Sequence, residues 1–265
     1  MIHEKVQVLW NKKAGNPYYR IGLKCHKEYS TAQPGQFVML RLINQMVPFL
    51  RRPFSIHNRI MKGGRTQGIE LLYKVVGKGT EKLSLCKKGD FVDIIGPLGK
   101  GFVIPDNYHR IFIVAGGIGV APLFFLASFL MEKNIDLSAC RVFLGAKSKD
   151  DLLCKDKLSD LGITVHICTD DGSEGDKCLV TDSLKTAICK NRPDVIYACG
   201  PLEMLKSVAK IAKKHIVPCQ ISIETIMACG IGACLGCAVE RFDNTGKYLH
   251  VCLDGPVFNP HDLKI

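Results

Sequence analysis

The sequence predicts three consecutive units, namely an antiparallel β-barrel, a parallel-sheet α/β unit and a small cysteine-containing unit. Residues 1–104 alternate short β patterns with turn clusters and contain almost no helix, which is typical of a barrel. Residues 105–215 alternate apolar strands with helices, which predicts a parallel sheet covered on both faces. Four of the five cysteines in residues 216–265 have a distinctive spacing. We therefore expect three domains, 1–104, 105–215 and 216–265.

Length, composition and charge restrict the class of protein. The chain has 265 residues, 47% of them hydrophobic, which is enough to bury a sizeable core. The formal net charge is +11, but the lysines are scattered and no nucleic-acid-binding motif is present. We therefore expect no nucleic-acid partner. Anionic cofactors and a solvated lysine surface account for the excess charge, and an acidic protein partner stays open.

The cysteines and the apolar segments bear on the compartment. The count of 13 cysteines is odd, and Met1–Val6 lacks the opening of a signal peptide, so we expect a reducing cytoplasm. The longest apolar run, from Ile111 to Met131, is interrupted by three glycines and by Pro122. This pattern indicates a strand, a turn and a buried helix, so we expect no membrane span.

Six strands and one short helix are expected in the first unit. Runs that favour β structure are separated by turns such as Lys62–Arg65. The expected strands are Val6–Trp10, Tyr18–Lys24, Gln36–Arg41, Phe54–Asn58, Ile69–Val75 and Asp90–Ile95. Thr80 can accept a backbone N–H and so begin a helix over Thr80–Cys86.

Two parts of the first unit suit a phosphate-containing ligand. In Arg52–Ser55, the guanidinium and the hydroxyl can both bind a phosphate, and Phe54 can stack on a planar ring. Leu72–Lys74 and Gly79-Thr80 lead into the expected helix, whose amino terminus is a natural pyrophosphate site. A plain core strand and a capped turn are the structural alternatives.

The central unit is expected to contain four strands and four helices. The expected strands are Arg110–Ala115, Arg141–Gly145, Ile163–Thr169 and Val195–Cys199. Helices are expected from Val120, near Asp150–Ser159, over Val180–Cys189 and over Pro201–Lys214. Pro122 falls in the first turn of its helix, where proline is tolerated.

Three loops of the central unit follow strands and should meet at one sheet edge. They are Gly116–Gly119, Thr169–Gly172 and Cys199–Pro201. Ligands of such sheets bind outside the carboxyl ends of the strands, so these loops predict a nucleotide site. Asp170 and Asp171 could accept hydrogen bonds from ribose hydroxyls, or could simply cap a turn. Lys147 and Lys149 could meet a 2′-phosphate, or could be surface lysines, which leaves NADH against NADPH open.

The last unit contains the motif C-x4-C-x2-C…C, formed by Cys229, Cys234, Cys237 and Cys252. This is the plant-type spacing for four thiolates that hold a [2Fe–2S] cluster. Glycines at 230, 232 and 236 allow the unusual backbone angles of a loop around a cluster. A zinc site and unliganded thiols are the alternatives.

The flanking strands of the last unit are expected at Gln220–Glu224, Ala238–Phe242 and Tyr248–Cys252. The last two form a hairpin through Asp243–Gly246. Cys252 would end the second hairpin strand, and the hairpin would bring it back toward the other three cysteines.

The order of these motifs resembles a known family. The motifs are Arg52–Ser55, Gly79-Thr80, Gly96–Gly99, Gly116–Pro122, Cys199–Pro201 and the four-cysteine pattern. Together they resemble the electron-transfer subunits of class 1B dihydroorotate dehydrogenase, within the ferredoxin–NADP reductase superfamily. The resemblance covers nearly the whole chain and implies an FAD-binding barrel, an NAD-binding α/β domain and a [2Fe–2S] domain.

The resemblance also implies which residues bind each cofactor. It implies FAD binding by Arg52, Pro53, Phe54, Ser55, Leu72, Tyr73, Lys74, Gly79 and Thr80. Many superfamily members have tyrosine where this chain has Phe54. It implies NAD binding by Gly117, Gly119, Asp170, Asp171, Cys199 and Gly200, with Cys199 near the nicotinamide. The cluster ligands would be Cys229, Cys234, Cys237 and Cys252.

The implied partner is an FMN-containing catalytic subunit that oxidises dihydroorotate in pyrimidine (UMP) biosynthesis, in a heterotetramer. Electrons would pass from FMN through the cluster and FAD to NAD⁺, so no catalytic acid or base is expected in this chain. One alternative is a subunit of a ferredoxin-, hydrogenase- or sulfide-linked complex. Sulfide-dehydrogenase-like subunits typically carry Asp where this chain has Cys229. The other alternative is a zinc-stabilised adaptor without redox activity.

Overall fold

The computed structural model describes residues 1–43, 49–105, 107–243 and 246–265. The strands of the barrel are β1 (Ile2–Gly15), β2 (Tyr18–Lys24), β3 (Phe37–Leu42), β4 (Arg52–Lys62), β5 (Arg65–Lys74) and β6 (Phe91–Leu98). One helix, α1 (Lys78–Ser84), lies between β5 and β6. Each strand pairs antiparallel with its neighbours, and the barrel closes in the order β1-β2-β5-β4-β3-β6.

The remaining strands form a six-stranded sheet and a small hairpin. They are β7 (Ile111–Gly116), β8 (Arg141–Ala146), β9 (Thr164–Thr169), β10 (Val195–Cys199), β11 (Cys219–Ser222), β12 (Ala238–Glu240), β13 (Tyr248–His250) and β14 (Val257–Phe258). The sheet has the order β14-β11-β10-β7-β8-β9, and β12 pairs with β13. All pairs of the large sheet are parallel except β11 with β14.

Helices pack on both faces of the sheet, as the alternating pattern predicts. They are α2 (Val120–Glu132), α3 (Lys155–Asp160), α4 (Val180–Lys190), α5 (Leu202–Lys214) and α6 (Val251–Asp254). Helix α2 is apolar nearly all round because it lies between the sheet and the barrel. On the barrel side, His57 of β4 stacks on Phe124 of α2 with ring centroids 4.8 Å apart. Among the described residues, no helix is long and apolar enough to cross a membrane.

The expected fold class is confirmed. One expected strand and one expected helix need correction, and one strand was not expected. The second hairpin strand ends at His250 instead of Cys252, and Cys252 lies in α6. The carboxylate of Asp254 accepts the backbone N–H of His250 at 2.7 Å, which favours a helical turn at this point. Residues 244–245 of the expected hairpin turn lie outside the described residues.

The helix expected near Asp150–Ser159 is also shorter than its pattern suggests. A 3-10 turn covers Lys149–Asp151, and α3 begins only after Cys154, whose φ of +63° interrupts a continuous helix. Strand β14 has no counterpart in the expected elements because two residues between prolines show no β periodicity. Strands β11 and β14 join the large sheet although both lie in the expected 216–265 unit.

Candidate functional site

A cleft of about 620 Å³ lies at the carboxyl edge of the parallel sheet, where nucleotide-binding loops were expected. Its wall includes Gly116–Gly119, Gly200 and Pro201 from two of the three expected loops. The barrel contributes Tyr18 and Lys74 to the same cleft. The site is therefore bounded by more than one of the expected units and could not be found in any unit alone.

The two glycine-containing loops approach each other at backbone distance. A Cβ on Gly119 would lie 2.3 Å from the carbonyl oxygen of Cys199, and a Cβ on Gly116 would lie 2.6 Å from Pro201. Only glycine permits this spacing, because a larger residue would force the loops apart. Gly117 has a φ of +52° and no described atom near a Cβ position, so its backbone faces open space.

Charged groups lie at the third loop and across the cleft. Asp170 and Lys147 both line the wall, as do Tyr18 and Asp151. The Tyr18 hydroxyl donates to Asp151 Oδ1 at 2.6 Å, which connects the barrel to the α/β unit. Burial, followed by the hydrogen bond to Asp151, raises the pKa of Tyr18, so this hydroxyl stays protonated.

Two residues expected at the nucleotide site have other surroundings. Cys199 is buried at the end of β10 in the apolar core, and burial raises the pKa of its thiol. Cys199 is only 2% exposed, and its carbonyl group adjoins Gly119 of the glycine loop. The Asp171 carboxylate accepts the N–H and hydroxyl of Ser173 within its own loop, which lowers its pKa. Their roles toward NAD stay predictions.

A second, shallow depression lies on the barrel. It is lined by Arg52 and Phe54 of β4 and by Gly79, Thr80 and Leu83 of α1, with β3 beside them. The structure therefore brings together the phosphate-binding candidates from both expected segments. The Thr80 hydroxyl accepts the N–H groups of Val76 and Gly77 at 2.9 and 3.2 Å, which holds the turn before α1.

The neighbouring arginine has a different surrounding. Arg51 Nη2 lies 2.6 Å from Asp93 Oδ1, so Arg51 is paired with a carboxylate, whereas Arg52 is exposed. The side chains of Leu72 and Tyr73 are buried in the core, and only Lys74 of that segment reaches the large cleft. Pro53 and Ser55 are half-buried on β4. Any contact of Leu72 and Tyr73 with a flavin would come from their backbone.

The four motif cysteines fall into two pairs. Cys237 Sγ lies 3.3 Å from Cys252 Sγ, and both residues are buried. Cys229 Sγ accepts the backbone N–H groups of Ile231 and Cys234 at 3.5 and 3.4 Å. Although burial acts to raise it, these donors lower the pKa of Cys229 to about 7. Backbone donors aimed at a sulfur fit a thiolate ligand.

This paired arrangement fits two irons better than a single ion. Over the described ranges, no three Cys, His, Asp or Glu side chains converge closely enough to hold one metal ion. A [2Fe–2S] cluster takes four cysteines across two irons, whereas structural zinc needs four ligands around one centre. The residues present therefore fit the cluster, with Cys252 supplied by α6 in place of the expected strand.

The cluster loop lies directly on the barrel. A Cβ on Gly230 would be 2.3 Å from Cγ of Met39 in β3, and Leu98 of β6 is next to it. On the adjacent strand β4, the cross-strand partner of Met39 is Pro53, which belongs to the Arg52–Ser55 segment. The cysteine loop and the candidate flavin segment are therefore neighbours on one part of the barrel.

The nucleotide cleft and the cluster loop are also connected. Ile223 and Glu224 line the cleft, and the cysteine loop follows them in sequence. Sequence reasoning missed Tyr18, Asp151 and these two residues as parts of the site. No local pattern marks them, because they reach the cleft only through packing of separate units.

Family models and relatives agree with this geometry. Residues 224–264 match the iron-sulfur cluster binding domain of dihydroorotate dehydrogenase B, and residues 113–210 match the oxidoreductase NAD-binding domain. A dihydroorotate dehydrogenase B (NAD(+)) electron transfer subunit from Caldanaerobacter subterraneus subsp. tengcongensis is 40% identical over 96% of this chain and 95% of its own length. The chain belongs to the family of dihydroorotate dehydrogenase B electron transfer subunits.

Comparison with solved structures shows which known folds this chain resembles. The structure of an NADH-dependent reduced ferredoxin-NADP oxidoreductase is 30% identical, with a TM-score of 0.84 over 98% of this chain and 89% of that chain. A ferredoxin NADP+ reductase from Neisseria gonorrhoeae with bound FAD and NADP is 15% identical, covers 80% of this chain and 91% of its own, and has a TM-score of 0.67. This member of the family is thus an oxidoreductase subunit with iron-sulfur- and NAD-binding domains.

Proposed function

We propose that this chain carries electrons from the FMN of a dihydroorotate-oxidising catalytic subunit, by way of a [2Fe–2S] cluster and FAD, to NAD⁺ in pyrimidine (UMP) biosynthesis. The observation that carries the proposal is the adjacency of the three sites. The cluster loop packs on Met39, Met39 pairs with the candidate flavin strand, and the barrel also contributes Lys74 to the nucleotide cleft. Relatives with the dihydroorotate dehydrogenase name match nearly the whole chain.

FAD is proposed to bind on the barrel. Exposed Arg52 and the turn before α1 would hold its phosphates, and Phe54 would lie beside the ring. Pro53 and Ser55 complete the strand segment. Leu72–Lys74 of β5 would lie between the flavin and the cleft. The ferredoxin NADP+ reductase of the same fold, which holds FAD and NADP, supports the choice of ligand.

NAD is proposed to bind in the large cleft. The open space around Gly117 would leave room for a dinucleotide, whereas Gly119 and Gly200 let the two loops that line the cleft approach each other, with the carbonyl group of Cys199 at that contact. Asp170 would accept hydrogen bonds from the ribose, and Asp171 would hold the loop in place through Ser173. A carboxylate in the cleft disfavours an added 2′-phosphate, so NADH is the proposed nucleotide despite Lys147 nearby.

When bound, the cluster supplies single-electron transfer and the flavin converts single electrons into a hydride. The packing of Gly230 on Met39 would place the cluster and the flavin near each other, and Cys237 and Cys252 are buried away from water. The opposite side of the loop is open: Cys234 is exposed, and Ile226 and Leu235 are 88% and 58% exposed. We propose this apolar surface as the docking face for the FMN subunit in a heterotetramer.

A reducing cytoplasm is the proposed compartment, because the odd count of 13 cysteines disfavours a disulfide framework and four of them would ligate the cluster. The proposed domain boundaries are near residues 104 and 215. The end of β6 at Leu98, the start of β7 at Ile111 and the end of α5 at Lys214 support these boundaries. Because β11 and β14 belong to the large sheet, the third domain would fold against the second one rather than alone.

The decisive experiment is affinity purification of the chain with its native partner under anaerobic conditions. We expect a copurified FMN protein and dihydroorotate-dependent reduction of NAD⁺ by the complex. The isolated chain should contain FAD and iron but show no activity with dihydroorotate. A partner without FMN, or a complex that does not oxidise dihydroorotate, would refute the proposal.

A second candidate is a subunit of an NADH-dependent ferredoxin-NADP oxidoreductase. The match to that structure, with a TM-score of 0.84, favours it. The dihydroorotate reading is preferred because a relative with that name is 40% identical over 96% of this chain, against 30% identity for the ferredoxin-NADP oxidoreductase structure. The same purification separates the two, since the second candidate requires reduction of NADP⁺ with ferredoxin and no response to dihydroorotate.

A further inference from the structure

Two cysteines outside the cluster motif lie side by side in the wall of the nucleotide cleft. Cys178 Sγ lies 3.3 Å from Cys168 Sγ. Cys168 is near the end of β9, and Cys178 comes just before α4, so the two are on different segments. Both line the cleft, where Cys168 is buried and Cys178 is half-buried. The proposed electron path uses neither thiol.

Backbone hydrogen bonds hold the segments that carry these two cysteines next to each other. The N–H of Asp176 donates to the carbonyl of Ile167 at 2.9 Å, and the N–H of Thr169 donates to the carbonyl of Asp176 at 3.0 Å. The loop between the cysteines is therefore closed onto the end of β9. A disulfide needs sulfurs about 2.05 Å apart, so the two sulfurs have to approach by only about 1 Å. Side-chain rotation with a small shift of the loop is sufficient.

We propose that Cys168 and Cys178 form a redox-active dithiol, which a low-molecular-weight disulfide oxidises, and that this oxidation weakens dinucleotide binding in the cleft. The Cys178 thiolate attacks one sulfur of the small disulfide and releases one thiol. The Cys168 thiolate then attacks Cys178 Sγ and releases the second thiol. Two electrons pass from the protein dithiol to the small disulfide, and the two thiol protons end on the two released thiols.

The order of these steps follows from exposure. The half-buried Cys178 is open to a reagent from the cleft, whereas Cys168 is 1% exposed. Burial, followed by the hydrogen bond from Cys178, raises the pKa of Cys168 to about 12. Cys168 therefore reacts because it is close to Cys178, not because it is acidic. We expect the oxidation to become faster as the pH rises, since more thiolate forms.

Oxidation is coupled to the cleft through the segment that carries Cys178. Leu179–Thr181, directly after it, line the cleft, and Val180 packs against Gly145, where a Cβ would lie 2.8 Å away. Drawing Cys178 toward β9 displaces this wall. A dinucleotide in the cleft covers the thiols and needs the wall in its reduced position. By linkage, a ligand that opposes oxidation binds less tightly to the oxidised form.

The test uses the purified holo-chain without its partner, and it rests on the proposed nucleotide site. Protein is incubated with glutathione disulfide, mapped by non-reducing peptide mass spectrometry and titrated with NADH. We expect a peptide linking Cys168 to Cys178, slower linkage when NADH is present, and a rise of about fivefold or more in the Kd for NADH. Dithiothreitol should restore the original Kd.

Two variants provide controls. Cys178→Ser should bind NADH with an affinity that glutathione disulfide no longer changes. Cys189→Ser, which removes an exposed thiol on α4, should respond as the unmodified protein does. Visible absorbance of the cluster is followed throughout, so that a loss of affinity with an intact cluster is assigned to the dithiol. The comparison of the Kd for NADH between oxidised and reduced wild-type protein tests the inference even where a variant folds poorly.

Two results would overturn the inference while the proposed function stands. One is a mixed disulfide at Cys178 without the Cys168 link. The other is a complete Cys168–Cys178 disulfide that leaves the Kd for NADH unchanged. Reduced protein that does not bind NADH at all would overturn the nucleotide site itself, and the inference with it.

Discussion

The barrel meets the rest of the chain at two interfaces that differ in polar content. Toward the cluster segment, the contacts are apolar: Met39 and Leu98 pack with Met227 and Cys237 in one core. Toward the α/β unit, apolar side chains of α2 pack on the barrel, but polar groups are buried beside them: His57 Nδ1 lies 3.0 Å from the carbonyl oxygen of Ala121. The first interface fixes a distance between two cofactor sites, whereas the second adjoins a cleft that must admit and release a ligand.

The chemistry of each interface suits its task. Apolar packing against a glycine leaves the cluster loop no alternative position, because any shift opens a void. In the polar interface, Glu70 pairs with Arg20 and lies 3.8 Å from His57 Nε2, and Asp151 accepts from Tyr18. Of these groups, Tyr18 and Asp151 line the cleft, so their hydrogen bond can be exchanged for contacts with a ligand or water when the cleft fills. Four substitutions test this contrast.

The largest effect is expected from Cys234→Ser, on the apolar side. One thiolate ligand is lost, so the cluster should be absent while FAD stays bound on the barrel. Iron analysis and the visible spectrum measure both cofactors, and electron transfer to NAD⁺ should be abolished. Cys189→Ser is the matched control and should retain iron. Loss of FAD together with the cluster would contradict separate sites for the two groups.

Gly230→Ala should strain the same interface without removing a ligand. The new Cβ would meet Met39 at 2.3 Å, and the φ of Gly230 is +74°. We expect a loss of about 1–3 kcal/mol in the free energy of unfolding, measured by denaturant titration, with a perturbed cluster spectrum.

Gly63→Ala is the control for the backbone contribution of Gly230. Gly63 has a φ of +56°, and no described atom lies within 4 Å of a Cβ placed there. Its alanine variant should lose only the smaller cost of the left-handed conformation. In the Met39→Ala background, Gly230→Ala should cost less than it does in the wild type, because the methionine that the new Cβ meets is then absent. Equal effects for Gly63→Ala and Gly230→Ala would mean that Met39 does not confine the loop.

On the polar side, His57 should make stability depend on pH. Burial, together with the nearby charges of Arg20 and Lys157 and only partly offset by Glu70 and by the Ala121 carbonyl, lowers the pKa of His57 from 6.5 to about 4. Between these values the unfolded chain binds the proton more readily, so stability falls as the pH falls from 6.5 toward 4. The full difference is about 3 kcal/mol.

His57→Gln removes this titration while keeping a polar side chain in the interface. Thermal unfolding of both proteins at pH 7.5 and pH 5 should show a larger decrease for the wild type. Because other groups titrate in both proteins, the difference between the two decreases reports His57. Parallel curves would show that His57 gains a proton without disturbing the interface.

The smallest effect is expected from Tyr18→Phe. It removes the 2.6 Å hydrogen bond to Asp151 at the edge of the cleft, which is only partly buried. We expect a loss of about 1 kcal/mol in stability and a changed Kd for NADH. The matched control is Tyr248→Phe at an exposed tyrosine of the hairpin, which should change neither quantity. An unchanged Kd in Tyr18→Phe would place the ligand away from this hydrogen bond.

Much of this architecture could be predicted from the sequence because the signals are local. The apolar run of β7, the helical pattern after it and the glycines of Gly116–Gly119 are each recognised from neighbouring residues alone. The cysteine spacing is equally local for Cys229, Cys234 and Cys237. Cys252 is the instructive exception: its role as the fourth ligand was anticipated, but its place on α6 depends on the Asp254 contact with His250.

The site residues also fall into two groups, those within recognisable sequence motifs and those that only packing brings to the site. Arg52 and Thr80 belong to recognisable motifs, and packing brings them to one depression. Tyr18, Asp151 and Glu224 carry no motif, because each reaches the cleft from a different unit. Cys199 lies in a motif but has its side chain in the core, since strand alternation decides which way a residue points.

By itself, the amino-acid sequence determined the three-unit order, and it predicted the nucleotide loops of the sheet and the set of cluster cysteines, because periodicity and spacing are properties of short segments. Only the tertiary structure decided that Gly230 lies on Met39, that the barrel completes the nucleotide cleft, and that Cys168 touches Cys178. Those contacts join residues far apart in the chain or on different segments, and close packing of whole units, not local preference, selects them.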